Sequence, residues 1–426
     1  MSCFVAIWLV VVGTVVLAPV AQAETTDRGP IRITKDSEFD AEHGVRSGTG
    51  TKSDPYVISG WKVGSLALSD TNSYVVVRDN EISRLILDWN GDRLLVTNND
   101  IGDMRLNQNV PRTGQPTSGR ISNNRFGTVS QIRHFDGRFA NNVVGHEGSM
   151  EMPFFDDVVV RLDGFNGARF RNNTLYGALR FQLHGHHHSS SYEDTSHHHG
   201  APSDQESDAG GMGEDVDHSQ RYHQVTISDN KIYSYREAIR YTDQAHSAND
   251  RTANSEQNEE LNGPHVHYTK VKISRNELIG GGISVDTFNA KDERHSAIGD
   301  GSIEIADNTI SLARETSEVF HNVNGISVRD ARGMHLMVTG NVISATTDDA
   351  EPLSKMFSGD AGISLVQLDA ATVHLYGNSV SGTDYGVFAL NFTESVQWWV
   401  QDLQTQGVET EVYYDQSVKN EPQGSP

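Results

Sequence analysis

Val271-Lys272-Ile273-Ser274-Arg275-Asn276-Glu277-Leu278, followed five residues on by Ile283-Ser284-Val285, is the stretch whose pattern decides the fold. Apolar residues recur every second position, the period of a β-strand with one face buried, and no helical period competes with it. An asparagine then interrupts the alternation. Asparagine tolerates the left-handed backbone of a sharp corner, and stacked asparagine side chains can hydrogen-bond from layer to layer. The stretch therefore reads as strand, corner, strand.

Working outward, the same unit recurs along the chain. It appears as Val77-Arg78-Asp79-Asn80-Glu81-Ile82, Val96-Thr97-Asn98-Asn99-Asp100-Ile101, Ile121-Ser122-Asn123-Asn124-Arg125-Phe126 and Phe139-Ala140-Asn141-Asn142-Val143-Val144, and again around Asn173, Asn230, Asn308, Asn341 and Asn378. Second strands follow the corners, among them Leu179-Arg180-Phe181, Ile239-Arg240-Tyr241, Ile326-Ser327-Val328, Ile363-Ser364-Leu365 and Val387-Phe388-Ala389. A chain that repeats this unit buries the alternate residues in one continuous core and pairs every strand with the coil above and below, which is a parallel β-helix. The expected fold is all-β, a single-stranded parallel β-helix of about ten coils over 61–395, with an N-terminal capping segment at 24–60 and a C-terminal cap and tail at 396–426. Corner spacing drifts from 18 to 25 residues early to between 31 and 57 later, so long loops are inserted into regular coils. Trp398-Trp399 and Tyr413-Tyr414 suit the closing of the last coil.

The chain has 426 residues, 36% of them hydrophobic, with a formal charge of −23 from 57 acidic and 34 basic residues. That balance disfavours a nucleic-acid binder, which needs a basic face, and favours cations as partners. Residues 4–20 are apolar and run into Ala21-Gln22-Ala23, so 1–23 reads as a secretory signal, and the body is expected to be periplasmic or secreted. No Lys or Arg precedes the apolar run, which leaves an uncleaved anchor as the alternative. After cleavage no remaining run is long enough to span a bilayer. The only cysteine, Cys3, falls inside the signal, so disulfides are excluded and a metal would have to use His, Asp, Glu or Met.

Ile31-Arg32-Ile33-Thr34, Phe39, Gly44-Val45, Gly48-Thr49-Gly50-Thr51 and Asp54-Pro55-Tyr56-Val57-Ile58-Ser59-Gly60-Trp61 resemble the opening segment of NosD-like periplasmic β-helix proteins. The resemblance covers roughly residues 30–395 and implies a right-handed helix of parallel β-helix repeats. Members of that group are linked to copper delivery during nitrous oxide reductase maturation, so it also implies metal handling, with a metal transporter or metalloenzyme as the partner. It carries no ligand set onto these residues. The same architecture hosts lyases, epimerases and adhesins, so function has to be read from the site.

The largest insertion, 184–223, holds His184, His186, His187, His188, His197, His198, His199, His218 and His223, nine of the chain's 19 histidines, amid Ser, Gly, Asp and Glu. Such a segment cannot build a core, and neutral imidazoles bind borderline divalent ions; copper, zinc and nickel all fit. Insertions at the equivalent place in the next two coils, 243–266 and 288–301, carry His246, His265 and His295, with His267 directly after the first of them. Equivalent positions in successive coils lie about 4.8 Å apart, so the three loops are expected to emerge side by side and bring distant histidines together. Redundant ligands of this kind suit capture and hand-over of an ion rather than a closed four-ligand structural site.

A second pattern competes. Arg105, Arg161, Arg180 and Arg240 take the same outward place in their second strands, with Arg133 as a possible fifth, and Asp243, Asp286 and Asp330 follow near the strand ends. A row of guanidinium groups could grip the carboxylates of an acidic (uronate) polysaccharide, and stacked carboxylates could serve a lyase or epimerase. The same residues could equally form surface salt-bridge ladders. The motifs Asp-Pro-His-Asp, Arg-Ile-Lys and Gly-His-Gly of known uronate enzymes are absent. The leading expectation is an exported metal-binding accessory protein, the alternative is an enzyme or binder acting on acidic glycans, and the third is a structural cell-surface β-helix.

Overall fold

A computed structural model describes residues 25–69, 71–89, 93–108, 119–135, 137–146, 158–165, 167–184, 220–234, 237–244, 266–287, 301–313, 324–346, 360–418 and 420–424. The chain is a right-handed parallel β-helix; the repeat predicts the parallel β-helix, and the resemblance implies its hand. Among the described residues the strands form a 13-stranded sheet and a 22-stranded sheet. Apart from Val45–Ser47, which pairs antiparallel with Tyr56–Ser59, the smaller sheet is the first row of the coils, and from Val75–Arg78 to Thr372–Tyr376 its strands lead into the asparagine corners. In the early coils one long strand follows the corner, such as Glu81–Trp89, Asp100–Gln108 and Arg125–Phe135. Beyond these it divides into a short second row, such as Thr174–Tyr176, and a third row, such as Ala178–His184.

Alternation decides which residues face inward. Down the first row Ile58, Val77, Val96, Ile121, Phe139, Phe170, Ile227 and Ile273 pair rung to rung and are all buried. Where the column turns aromatic the rings continue the stack, with Phe139–Phe170 centroids 5.2 Å apart, and Phe126 from the strand after the corner packs on Phe139 at 5.8 Å. Each such side chain contributes roughly 1.5–3 kcal/mol by leaving water, and the core is one continuous column rather than a globule.

The corners are fixed by an asparagine ladder. Asn80, Asn99, Asn124, Asn142, Asn173, Asn230, Asn276, Asn308, Asn341 and Asn378 are all buried, and each Oδ1 from Asn99 onward accepts both the backbone amide and the Nδ2 of the ladder residue one rung before it. The amide of Trp61 begins the series by donating to Asn80 Oδ1 at 3.0 Å. The left-handed residue is not the ladder asparagine, as its tolerance of that conformation suggests, but the one before it: Asp79, Asn98, Asn123, Asn141, Asn172, Asp229, Arg275 and Asp307 have φ of 54–59°, and Gly340 and Gly377 have 63° and 62°. The division of labour follows from the hydrogen bonds. One residue turns the chain while the next carries an inward amide that satisfies buried backbone groups.

A column of glycines makes the corner between the second and third rows. Gly282, Gly325, Gly362 and Gly386 precede strand residues that pair in register. A Cβ on Gly282 would stand 2.4 Å from Gly325 O, and one on Gly325 2.7 Å from Gly362 O, so the rungs approach too closely there for any side chain.

At the N-terminal end, Thr26–Arg28 and Ile31–Ile33 both pair with Trp61–Ser69 and cover the first coil. The Arg46 guanidinium lies 3.4 Å above the centre of the Trp61 ring. At the other end Trp398 is buried, its Nε1 donates to Asn420 O at 2.7 Å, and Gln423 bridges to Trp399 along the last first-row strand.

Candidate functional site

The third-row strands Ala178–His184, Glu237–Gln244 and Gly282–Asp286 lie on consecutive rungs; the first two end in register and the third ends two residues sooner. His184 pairs with Gln244, and Thr242 with Asp286. The first-row strands that receive the chain are equally aligned, with Gln220 opposite Val266 and Lys270 opposite Ser302. The three insertions therefore leave and return along one edge of the helix, neighbouring departure points being about 4.8 Å apart.

Of the histidines expected to gather there, His184, His223 and His267 stand in strands. His184 closes its third-row strand opposite Gln244, His223 pairs with Thr269, and His267 pairs with Arg221, so the last two occupy adjacent rungs one diagonal apart. His186, His187, His188, His197, His198, His199, His218, His246, His265 and His295 lie outside the described residues, as does the N-terminal segment 1–24. Among the described residues no three His, Cys, Asp or Glu side chains are grouped to hold a metal ion. No helix among them is long and apolar enough to cross a membrane.

Arg161, Arg180 and Arg240 do stack on successive rungs, and the column runs on through Ser284, Ser327 and Ser364. These arginines are engaged with their own surface. Arg161 donates to Gln182 Oε1 at 3.3 Å, Arg240 pairs with Glu237 at 3.4 Å, and Arg180 also has contacts. Arg133 is not the fifth member. A bulge between Val129 and Gln131 shifts the register, so Gln131 stands opposite Arg105, while Arg133 falls two residues further on, between Asn107 and Asp163.

The aspartates do not form one column. Asp286 pairs with Thr242 on one side and Arg329 on the other, one residue short of Asp330, and Asp243 pairs with Leu183. Asp286 and Asp330 are nonetheless electrostatic neighbours. Burial and then the Asp286 carboxylate push the Asp330 carboxyl above its ordinary value, with Arg329 opposing. Asp330 takes the left-handed conformation with φ 55°, and its carbonyl accepts from Thr287 Oγ1 at 2.8 Å.

The first row holds a column that alignment of the second strands does not reveal. Leu95, Arg120, Arg138, Arg169 and Thr226 occupy one outward position on consecutive rungs. The three arginines are exposed. The signal that finds them is position relative to the ladder: Arg120, Arg138 and Arg169 each stand four residues before a ladder asparagine, Asn124, Asn142 and Asn173. Further down, the same column becomes Lys272, Glu304, Met337, His374 and Trp399. There Lys272 pairs with Glu304 at 2.7 Å, and the His374 ring stacks on Trp399 at 4.5 Å. In comparison with known proteins, the chain matches no protein-family model, no curated protein and no solved structure.

Proposed function

We propose that this protein is an exported transition-metal-binding accessory protein in which histidine-bearing insertions on a rigid β-helix capture an ion of the copper, nickel or zinc class and hand it on. The observation that carries this reading is the common edge: three consecutive rungs, each with a histidine-bearing insertion, have paired departure points at His184–Gln244 and Thr242–Asp286 and paired return points at Gln220–Val266 and Lys270–Ser302. The scaffold supplies alignment, since the ladder fixes each rung to the next, and the insertions supply ligands in number. The resemblance to NosD-like proteins agrees with this role and suggests a metal transporter or a metalloenzyme as the recipient.

Imidazole binds a metal only when neutral, so affinity falls as pH drops through about 6.5, the ordinary value for histidine. The test replaces residues 185–219 with a short Gly-Ser linker, which preserves both flanking strands, and compares equilibrium dialysis of Zn²⁺, Cu²⁺ and Ni²⁺ with the full chain at pH 7.5. The full chain is expected to take up more than one ion per molecule and the shortened chain fewer, more weakly. Equal uptake by the two would contradict the proposal.

A further inference from the structure

Arg120, Arg138 and Arg169 are stacked in register on three consecutive rungs of the first row, and among the described residues no carboxylate or other side chain pairs with any of them. The chain carries 57 acidic residues against 34 basic ones, and several other cross-rung cations are matched: Lys62 with Glu81 at 2.6 Å, Lys231 with Glu277 at 2.9 Å, Lys272 with Glu304 at 2.7 Å, and Arg171 and Arg275 both with Asp229. Three guanidinium groups held one rung apart repel one another, and a folded surface rich in carboxylates has left that repulsion unanswered.

We infer that this column is a binding track for an extended anionic polysaccharide running parallel to the helix axis. Two features select that ligand. The rung repeat of about 4.8 Å presents planar, bidentate donors at a spacing similar to the advance of one sugar unit in an extended chain. Beside the arginines, on the corner, lie the exposed amides of Asn98, Asn123, Asn141 and Asn172, with Asn141 Nδ2 donating to Asn123 Oδ1 at 3.2 Å. Guanidinium groups suit carboxylate or sulfate, and the neighbouring amides suit hydroxyls. A nucleic acid fits less well, because the column has no aromatic side chain among the arginines on which a base could stack. The site lies on a different row from Arg161, Arg180 and Arg240 and needs no metal.

The experiment compares the full chain, R120Q/R138Q/R169Q and the control R161Q/R180Q/R240Q in affinity electrophoresis through gels containing polygalacturonate, dextran sulfate or neutral dextran. EDTA is present throughout, so a metal cannot bridge protein and polymer, and failure here leaves the metal reading untouched. Circular dichroism verifies that each variant is folded. Retardation of the full chain and the control by one of the anionic polymers, at least tenfold weaker in R120Q/R138Q/R169Q and absent with neutral dextran, is the expected result. No retardation of the full chain, equal retardation of the two variants, or stronger retention by single-stranded poly(dT) than by both anionic polysaccharides would overturn the inference.

Discussion

Asn173 Nδ2 donates to Asn230 Oδ1 at 2.9 Å although the two residues are 57 positions apart in the chain. The largest insertion lies between them, and the contact is indistinguishable from that between Asn80 and Asn99, which are 19 positions apart and also 2.9 Å from Nδ2 to Oδ1. The helix therefore absorbs insertions without losing register, because each rung is fixed by its neighbours in space. That insulation is what allows variable loops to be carried on an invariant frame.

The ladder's contribution can be measured at its centre. Asn230→Ala removes the acceptor of the Asn173 amide at 2.9 Å and the donor to Phe170 O at 3.1 Å, leaving buried polar groups without partners. Unfolding by urea should show a loss of about 2–4 kcal/mol. A loss below about 0.5 kcal/mol, the size of an ordinary surface change, would show that the ladder does not hold the rungs.

Corner geometry makes a different prediction. Asn172 is exposed with φ 54°. Asn172→Val places a β-branched residue in the left-handed region and should cost roughly 1–2 kcal/mol, whereas Asn172→Gly should be nearly neutral. Thermal melts of the pair of variants check the order.

At the glycine column, a Cβ on residue 325 would meet Ile343 Cγ2 at 2.5 Å and Gly362 O at 2.7 Å. Gly325→Ala is expected to destabilise by about 1–3 kcal/mol through overpacking, with no change in the metal titration.

The Asp330 carboxyl is raised by burial and by Asp286, so the folded state favours its protonated form. Stability from this group is present below the ordinary carboxylate range and is lost as pH rises through the raised value. Asp330→Asn keeps a residue tolerant of φ 55° and removes the penalty. Its melting temperature should exceed that of the parent at pH 7, with the gap closing near pH 3. A gap that widens on acidification would mean that Asp330 is held by a partner rather than crowded by Asp286. Asp229 runs the other way: hydrogen bonding to Arg275 lowers its carboxyl, so its contribution is present at neutral pH and is lost as pH falls through that lowered value.

How far the sequence could be read depended on which residues carry a period. The fold was legible because the ladder asparagine and the alternating apolar residues recur whatever the loop length, and Val271, Ile273 and Asn276 already contain the whole unit. The Arg161–Arg180–Arg240 column was legible for the same reason, since each arginine lies between two inward apolar residues. Arg133 was misplaced because a bulge shifts register without leaving a mark in the alternation. Asp286 stands opposite Arg329 rather than Asp330, a one-residue offset at the strand end that the sequence pattern does not mark. The Arg120–Arg138–Arg169 column lies on the first row and so does not show in the pattern of the second strands, whereas counting back four residues from each ladder asparagine exposes it. Partnering cannot be read from one chain in any case, because it depends on which side chains the rungs bring together.

Calorimetric titration of Zn²⁺ into H246A/H265A/H295A, which leaves the 184–223 insertion intact, tests the proposal that imidazoles from successive rungs share an ion. Shared coordination predicts at least a tenfold loss of affinity at the tightest site, although the nine clustered histidines are unchanged. An isotherm superimposable on that of the parent would contradict it and would confine binding to a single loop.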